Sequence, residues 1–179
     1  MPSELDIVIP VYNEGKNILA TLEYIARMVN TPARILICYD MLDDDTLPII
    51  QDNPQAYVGL QIEFVRNYGR GAHSAVMAGF AACTAEFVVV FPADDHFNAG
   101  ILDPMVAMAR DGCDIVCASR FMPGGTMKGC PWLKAALVRS AAFLLHRAAR
   151  LPTHEIPPVL TARDRTDCSR VRCRFLLQP

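Results

Sequence analysis

Four carboxylates fall within six positions, at Asp40, Asp43, Asp44 and Asp45, directly after the apolar run Arg34-Ile-Leu-Ile-Cys-Tyr39. Like charges packed so closely repel one another unless hydrogen-bond donors or a cation meet them. Two duties fit: ligand binding, for which Asp40 at the strand end is best placed, or capping of the helix that starts near Thr46. In the second case Asp44 or Asp45 accepts from the first N–H groups, and Asp43 and Asp45 are as readily caps as ligands. A second acidic group, Asp94-Asp95-His96, follows the most apolar run in the chain; carboxylates plus an imidazole suit Mg2+ or Mn2+, and a capped turn is the plainer alternative. Gly69-Arg-Gly71 opens a helix and can bring backbone N–H groups to a phosphate. It is not a dinucleotide fingerprint, because Ser74 stands where the third glycine belongs. Ser119-Arg120, with Lys134 and Arg139 on the next helix, brings cations suited to a phosphate, although Lys134 and Arg139 serve equally well as solvated helix-face charges.

The elements that must position these groups are short β-branched runs alternating with helix-period stretches, the trace of parallel βαβ construction. Strands are predicted at Asp6–Val11, Arg34–Tyr39, Leu60–Val65, Glu86–Phe91 and Asp114–Ala118. Between them, Ile18, Leu22, Ile25 and Val29 share one helical face, and further helices are predicted from Thr46, from Gly71 to about Cys83, near Ala99 to Arg110 and near Trp132 to Arg150. Phe87-Val-Val-Val-Phe91 is the most continuous apolar strand and belongs at the sheet centre. Each strand ends in polar or turn-forming residues, and open α/β sheets bind ligands at the carboxyl ends of their strands. The chain therefore divides into an α/β domain over 1–150 and a tail over 151–179, where Pro152, Pro157, Pro158 and scattered arginines break every period. That tail is expected to be irregular or disordered, or truncated.

The 179 residues form one domain's worth of chain, and 52% hydrophobic content with 20% charged residues can bury a sizeable core. A formal charge of −2 gives no footprint for nucleic acid. The opening Met-Pro-Ser-Glu-Leu-Asp reads as neither signal nor transit peptide, and no apolar run reaches the roughly 20 residues of a spanning helix. Seven cysteines without a C-x-x-C pair are expected to be reduced thiols, in keeping with a cytoplasmic location, and mostly small buried hydrophobes. An aspartyl phosphotransferase motif is missed by one residue at Asp43-Asp-Asp-Thr46, and a nicotinamide oxidoreductase fails on the glycine pattern.

Three motifs in order give the set a family likeness: Val8-Ile-Pro-Val-Tyr-Asn-Glu14; Asn67-Tyr-Gly-Arg-Gly-Ala72 with a later Gly79; and Ser119-Arg-Phe-Met-Pro-Gly-Gly125. Over about residues 5–154 the chain resembles the family 2 glycosyltransferases, in particular the branch of dolichyl- or polyprenyl-phosphate mannose or glucose synthases. Two motifs match in part. Tyr39-Asp-Met-Leu-Asp-Asp-Asp-Thr46 keeps the second and third acidic positions of D-D-x-S-x-D-x-T, and Pro92-Ala-Asp94 keeps only the second carboxylate of the metal-binding D-x-D. After His154 the family's D-x-T-N-G-F-R is absent.

The resemblance implies a glycosyltransferase-A type, Rossmann-like three-layer domain with a mostly parallel central sheet, working as an inverting hexosyltransferase. Pro10, Tyr12, Glu14, Asp40, Asp44 and Gly71 would hold the nucleotide sugar, GDP-mannose or UDP-glucose. Asp94, with Asp95 or His96, would hold Mg2+ or Mn2+, and Asp94 and Arg120 would be catalytic. Ser119, Arg120, Lys134 and Arg139 would receive a lipid-phosphate acceptor, at the cytoplasmic face of a membrane. The alternative is an inactive nucleotide-binding remnant of such an enzyme.

Overall fold

The computed structural model describes residues 3–95, 97–119, 159–162 and 173–177. Its centre is a seven-stranded sheet: β1 (Leu5–Val11), β2 (Ala33–Tyr39), β3 (Gln61–Arg66), β4 (Phe87–Val90), β5 (Ile115–Ser119), β6 (Val159–Ala162) and β7 (Cys173–Leu177), in the order β3-β2-β1-β4-β6-β5-β7. The four leading strands run parallel, joined by α1 (Ile18–Met28), α2 (Thr46–Asp52) and α3 (Ala72–Ala82); α4 (Leu102–Arg110) leads into β5. β4 takes the middle place that its unbroken apolar run predicts. β6 lies antiparallel between β4 and β5, and β7 pairs parallel with β5 at the edge.

These last two strands depart from the irregular tail expected after Leu151. The reason is length: Val159-Leu-Thr-Ala162 and Cys173-Arg-Phe-Leu-Leu177 are too short to show a period, and the arginines and prolines around them dominate the local composition. Pairing with β4 and β5 supplies an order that local sequence does not announce. The helix expected near Trp132–Arg150 lies outside the described residues.

The side-chain period of two sorts the strands into faces. Leu5, Ile7 and Ile9 of β1 point to one side, where Ile18, Leu22 and Ile25 of α1, Ile50 of α2 and Leu102, Met105 and Val106 of α4 complete the main core. Val8 of β1, Leu36 and Cys38 of β2 and Val88 of β4 point to the other, under Ala75 of α3 and Cys83 just beyond it. α3 is made mostly of small residues because it lies close on the sheet: a Cβ at Gly79 would overlap Val8 Cγ1 and come 2.8 Å from Cys38 Sγ. Val8 is a β-branched strand residue at 0% exposure and cannot swing aside. We expect Gly79→Ala to cost about 1–3 kcal/mol through overpacking, against the gain of about 0.4–1 kcal/mol that an unhindered helical site would show; chemical denaturation decides the sign.

Burial, with Cys83 beside it, pushes the Cys38 thiol up to about 12, so it stays protonated and packs as an apolar group. Cys38, Cys83, Cys113 and Cys117 are all buried, matching their reading as small hydrophobes. At the opposite end of the sheet from the carboxyl ends of β1 and β2, Asp6 is fully buried and accepts hydrogen bonds from Arg34 Nε (3.0 Å) and Nη2 (2.8 Å), Thr84 N (2.7 Å) and Ala85 N (2.9 Å). This ties β1, β2 and the start of β4 into one unit. No helix among the described residues is long and apolar enough to cross a membrane.

Candidate functional site

β1 runs out at Val11, and the chain turns sharply through Asn13, which adopts φ 54°. The turn exposes three successive N–H groups, and the acidic loop after β2 receives all three. Asn13 N donates to Asp44 Oδ2 (3.1 Å), Glu14 N to Thr46 Oγ1 (2.9 Å) and Gly15 N to Asp45 Oδ1 (3.0 Å). Asp44 Oδ1 also accepts from Thr46 N at 2.9 Å, so Asp44 both caps α2 and pins the first turn. Asp44 and Asp45 are thus held by donors, as Asp40 is by others, so three of the four carboxylates are met and the repulsion their spacing posed is answered. Asp45 serves the neighbouring turn and not the helix start, and Asp43 is exposed with no hydrogen bond among the described residues. The expected ligand residue Asp44 is buried at 3% exposure and aims both oxygens into protein.

Asp40 has different company. Its Oδ1 accepts from Asn67 Nδ2 at 2.6 Å and its Oδ2 from Gly71 N at 2.8 Å, which fastens the end of β2 to the glycine turn that opens α3. Gly71 sits at φ 84°, a conformation open to glycine at little cost, and this aims its N–H at the carboxylate.

Between these two turns lies a cleft of about 870 Å³, the size of an ordinary small-molecule site. Pro10, Tyr12, Glu14, Asp40 and Gly71, contributed by the ends of β1 and β2 and the start of α3, all line it. Tyr12 lines the cleft and is 66% exposed, an aromatic ring of the kind that stacks on a planar heterocycle. Glu14 and Asp40 offer acceptors for hydroxyl and ring N–H groups. Arg70 and Met41 line the same cleft, and sequence reasoning passed them over. The glycine turn was weighed for its backbone alone, yet the cation between its glycines was the available signal.

At the end of β4, Asp94 is exposed and makes no hydrogen bond among the described residues. Asp95 forms the capped turn: its Oδ1 accepts from Phe97 N (3.2 Å) and Asn98 N (3.1 Å), and its Oδ2 from Asn98 Nδ2 (2.7 Å). Pro92, where the metal motif has its first carboxylate, is exposed, and the buried Ala93 between it and Asp94 accepts through its carbonyl from Thr21 Oγ1 at 2.7 Å. No three His, Cys, Asp or Glu side chains among the described residues gather as a metal cage. The donor set instead suits a hard ion such as Mg2+ or Mn2+ held by one protein carboxylate and completed by ligand phosphates and water. Ser119 closes β5, while His96, Arg120, Lys134 and Arg139 lie outside the described residues.

A mostly parallel sheet with helices on both faces, a cleft at its strand ends and a carboxylate beyond the central strand match the expected glycosyltransferase-A type fold. The family model "Glycosyl transferase family 2" matches residues 6–172, and the chain belongs to that family. An undecaprenyl-phosphate 4-deoxy-4-formamido-L-arabinose transferase of Pseudomonas savastanoi is 30% identical over 115 residues, 63% of this chain and 34% of its own length. An uncharacterized glycosyltransferase of Mycobacterium tuberculosis is 32% identical over 159 residues, 88% of this chain and 66% of its own length. The chain thus spans from about a third to two thirds of the length of these relatives. Among solved structures, glucosyl-3-phosphoglycerate synthase from M. tuberculosis in complex with phosphoglyceric acid superposes with a TM-score of 0.65 at 16% identity, covering 90% of this chain and 57% of that one. The same enzyme in complex with Mn2+, UDP-glucose and phosphoglyceric acid gives a TM-score of 0.63 at 16% identity, with the same coverage.

Proposed function

We propose that this chain carries the donor half of an inverting glycosyltransferase that moves a hexose from a nucleoside diphosphate sugar to a polyprenyl-type phosphate. The observation that carries this reading is the convergence of Pro10, Tyr12, Glu14, Asp40 and Gly71 on one cleft at the carboxyl ends of parallel strands. In it Tyr12 stacks on the base, Glu14 and Asp40 accept from base and ribose, and Arg70 meets the diphosphate as the cation of that cleft. Asp94 would hold Mg2+ or Mn2+, and His96 is its proposed companion, with Asp95 serving the turn. When bound, the ion neutralises charge that gathers on the leaving diphosphate as the glycosidic bond breaks.

The acceptor class comes from the relatives, whose names specify undecaprenyl phosphate. A phosphate acceptor arrives ionised and needs no general base. It needs cations that hold it beside the anomeric carbon, the part proposed for Ser119, Arg120, Lys134 and Arg139. Backside displacement by a phosphate oxygen breaks the bond to the leaving diphosphate and inverts the centre. Among glycosyl donors, GDP-mannose and UDP-glucose are the two to compare, at a membrane surface where a lipid acceptor would present itself. A second reading, nucleotide binding without transfer, draws on Pro92 standing where the metal motif has its first carboxylate and on Asp95 being engaged by Asn98.

The test is thermal unfolding of the chain with UDP, GDP, UDP-glucose and GDP-mannose, each with and without Mn2+. A ligand at a hundred times its dissociation constant adds about 2.7 kcal/mol, or several degrees in midpoint. A shift with one nucleotide series identifies the base. Transfer of labelled sugar to undecaprenyl phosphate then separates enzyme from remnant, and no shift with any of the four would refute both.

A further inference from the structure

Asn67 is 4% exposed just after β3 and uses both ends of its amide. Nδ2 donates to Asp40 Oδ1 (2.6 Å), while Oδ1 accepts from Gly69 N (2.9 Å) and from Ser74 Oγ (2.9 Å). The Asn67 carbonyl oxygen therefore holds the glycine turn and the first turn of α3, while its amino group holds the carboxylate at the end of β2. Asp40 answers by accepting from Gly71 N, closing a loop of hydrogen bonds around the cleft wall. Gly69 lies so close that an added Cβ would overlap Ser74 Oγ and stand 3.2 Å from Asn67 Oδ1.

We propose that Asn67 is a positioning residue for nucleotide binding: without touching the ligand, it fixes the orientation of Asp40 and the place of the Gly69–Gly71 turn. Only an amide meets the demand, since one end must accept two hydrogen bonds and the other must donate to a carboxylate. The inference rests on the reading of the cleft as a nucleotide site. Glu14 from the first turn and Arg70 from the glycine turn are the other charged side chains lining the cleft among the described residues. Asp43, Asp44 and Asp45 stand on the loop that follows Asp40.

Asn67→Asp keeps the size and the two accepted hydrogen bonds, and sets a second carboxylate oxygen against Asp40. Two carboxylates in contact share one proton, taken up at higher pH than an isolated carboxyl would take it. With the proton bound, the bridging hydrogen bond returns. UDP and GDP are the probes, titrated between pH 5.5 and 7.5. We expect the better of the two to bind Asn67→Asp at least about tenfold more weakly than wild type at pH 7.5 and within about threefold of it at pH 5.5, a loss of roughly 1.4 kcal/mol that acid reverses. A purely structural lesion would not recover on acidification.

The exchanged pair Asp40→Asn with Asn67→Asp rebuilds every hydrogen bond, with donor and acceptor reversed only in the one between residues 40 and 67, while Gly69 N, Gly71 N and Ser74 Oγ donate as before. Its unfolding midpoint at pH 7.5 should return to within a few degrees of wild type, above that of the single variant. Wild-type binding with an Asn67→Asp profile parallel to wild type at every pH overturns the inference and leaves the reading of the cleft standing. An exchanged pair no more stable than Asn67→Asp overturns it as well. Wild-type chain that binds neither UDP nor GDP removes the reading itself, and the inference with it.

Discussion

Asp6→Asn should destabilise the protein by about 3–5 kcal/mol, the cost of breaking a buried ion pair from one side. Asp6 is fully buried, and four donors converge on its two oxygens. An asparagine keeps the volume but offers one acceptor oxygen, so its amide N–H groups must face Arg34 or the Thr84 and Ala85 N–H groups. Arg34 retains Glu63 as a partner at 2.9 Å, at an exposed position where the pair is worth little. The sign of the pH dependence follows from the carboxyl itself. Burial alone would raise it, but the hydrogen bonds from Arg34, Ala85 and Thr84 outweigh burial and hold it below its usual value of 3.8. Its contribution is therefore complete above the unfolded value and is lost as pH falls through the depressed one. Urea unfolding should show the gap between wild type and Asp6→Asn widest above about pH 5 and narrowing below about pH 4. A gap under about 1 kcal/mol at neutral pH would mean that the sheet does not depend on this pair.

If the proposed function holds, Asp94→Asn has the opposite profile, near-silent in stability and severe in function. Asp94 is exposed and makes no hydrogen bond among the described residues, so the exchange should move unfolding by no more than about 0.5 kcal/mol. The charge is what matters. With a divalent ion held by one protein carboxylate and the ligand's phosphates, removing that carboxylate should return the Mn2+-dependent part of the nucleotide shift to its metal-free level. Sugar transfer should drop by about a thousandfold, since charge neutralisation of this kind is worth several kcal/mol. Chelation of wild type with EDTA should reproduce the loss, and added Mn2+ should restore wild type alone. A variant that keeps the full Mn2+ effect would place the ion on other groups.

How far the sequence anticipated this arrangement depended on whether a residue's duty is local. Phe87-Val-Val-Val90 could be placed at the sheet centre because burial on both faces writes itself into a continuous apolar run. Pro10, Tyr12, Glu14, Asp40 and Gly71 stood at strand ends and helix starts, and strand ends of a parallel sheet share one edge, so their meeting in a cleft followed from topology. Asn67 opens one of the three family motifs, but its duty could not be read in the same way, because an asparagine after a strand reads as a turn residue. Its partners, Asp40, Gly69 and Ser74, become neighbours only when β2, β3 and α3 are packed together. Asp44 misled for a related reason: a carboxylate in a motif looks available, while the N–H groups that occupy it come from the turn after β1.

The antiparallel strand β6 also bears on how the chain reaches this state. β4 and β5 are joined in the sheet through β6 alone among the described strands, with Phe87 opposite Ala162 and Ile115 opposite Thr161. A ribosome delivers β1 to β4 with their helices well before β6 emerges, so the parallel half can collapse first on its own core. Until Val159–Ala162 arrives, one edge of β4 is an open template of unpaired backbone groups, the kind of edge that recruits other chains. The slowest and most exposed stage of folding should therefore be this late insertion, and chains stopped before residue 159 should show it as aggregation during synthesis.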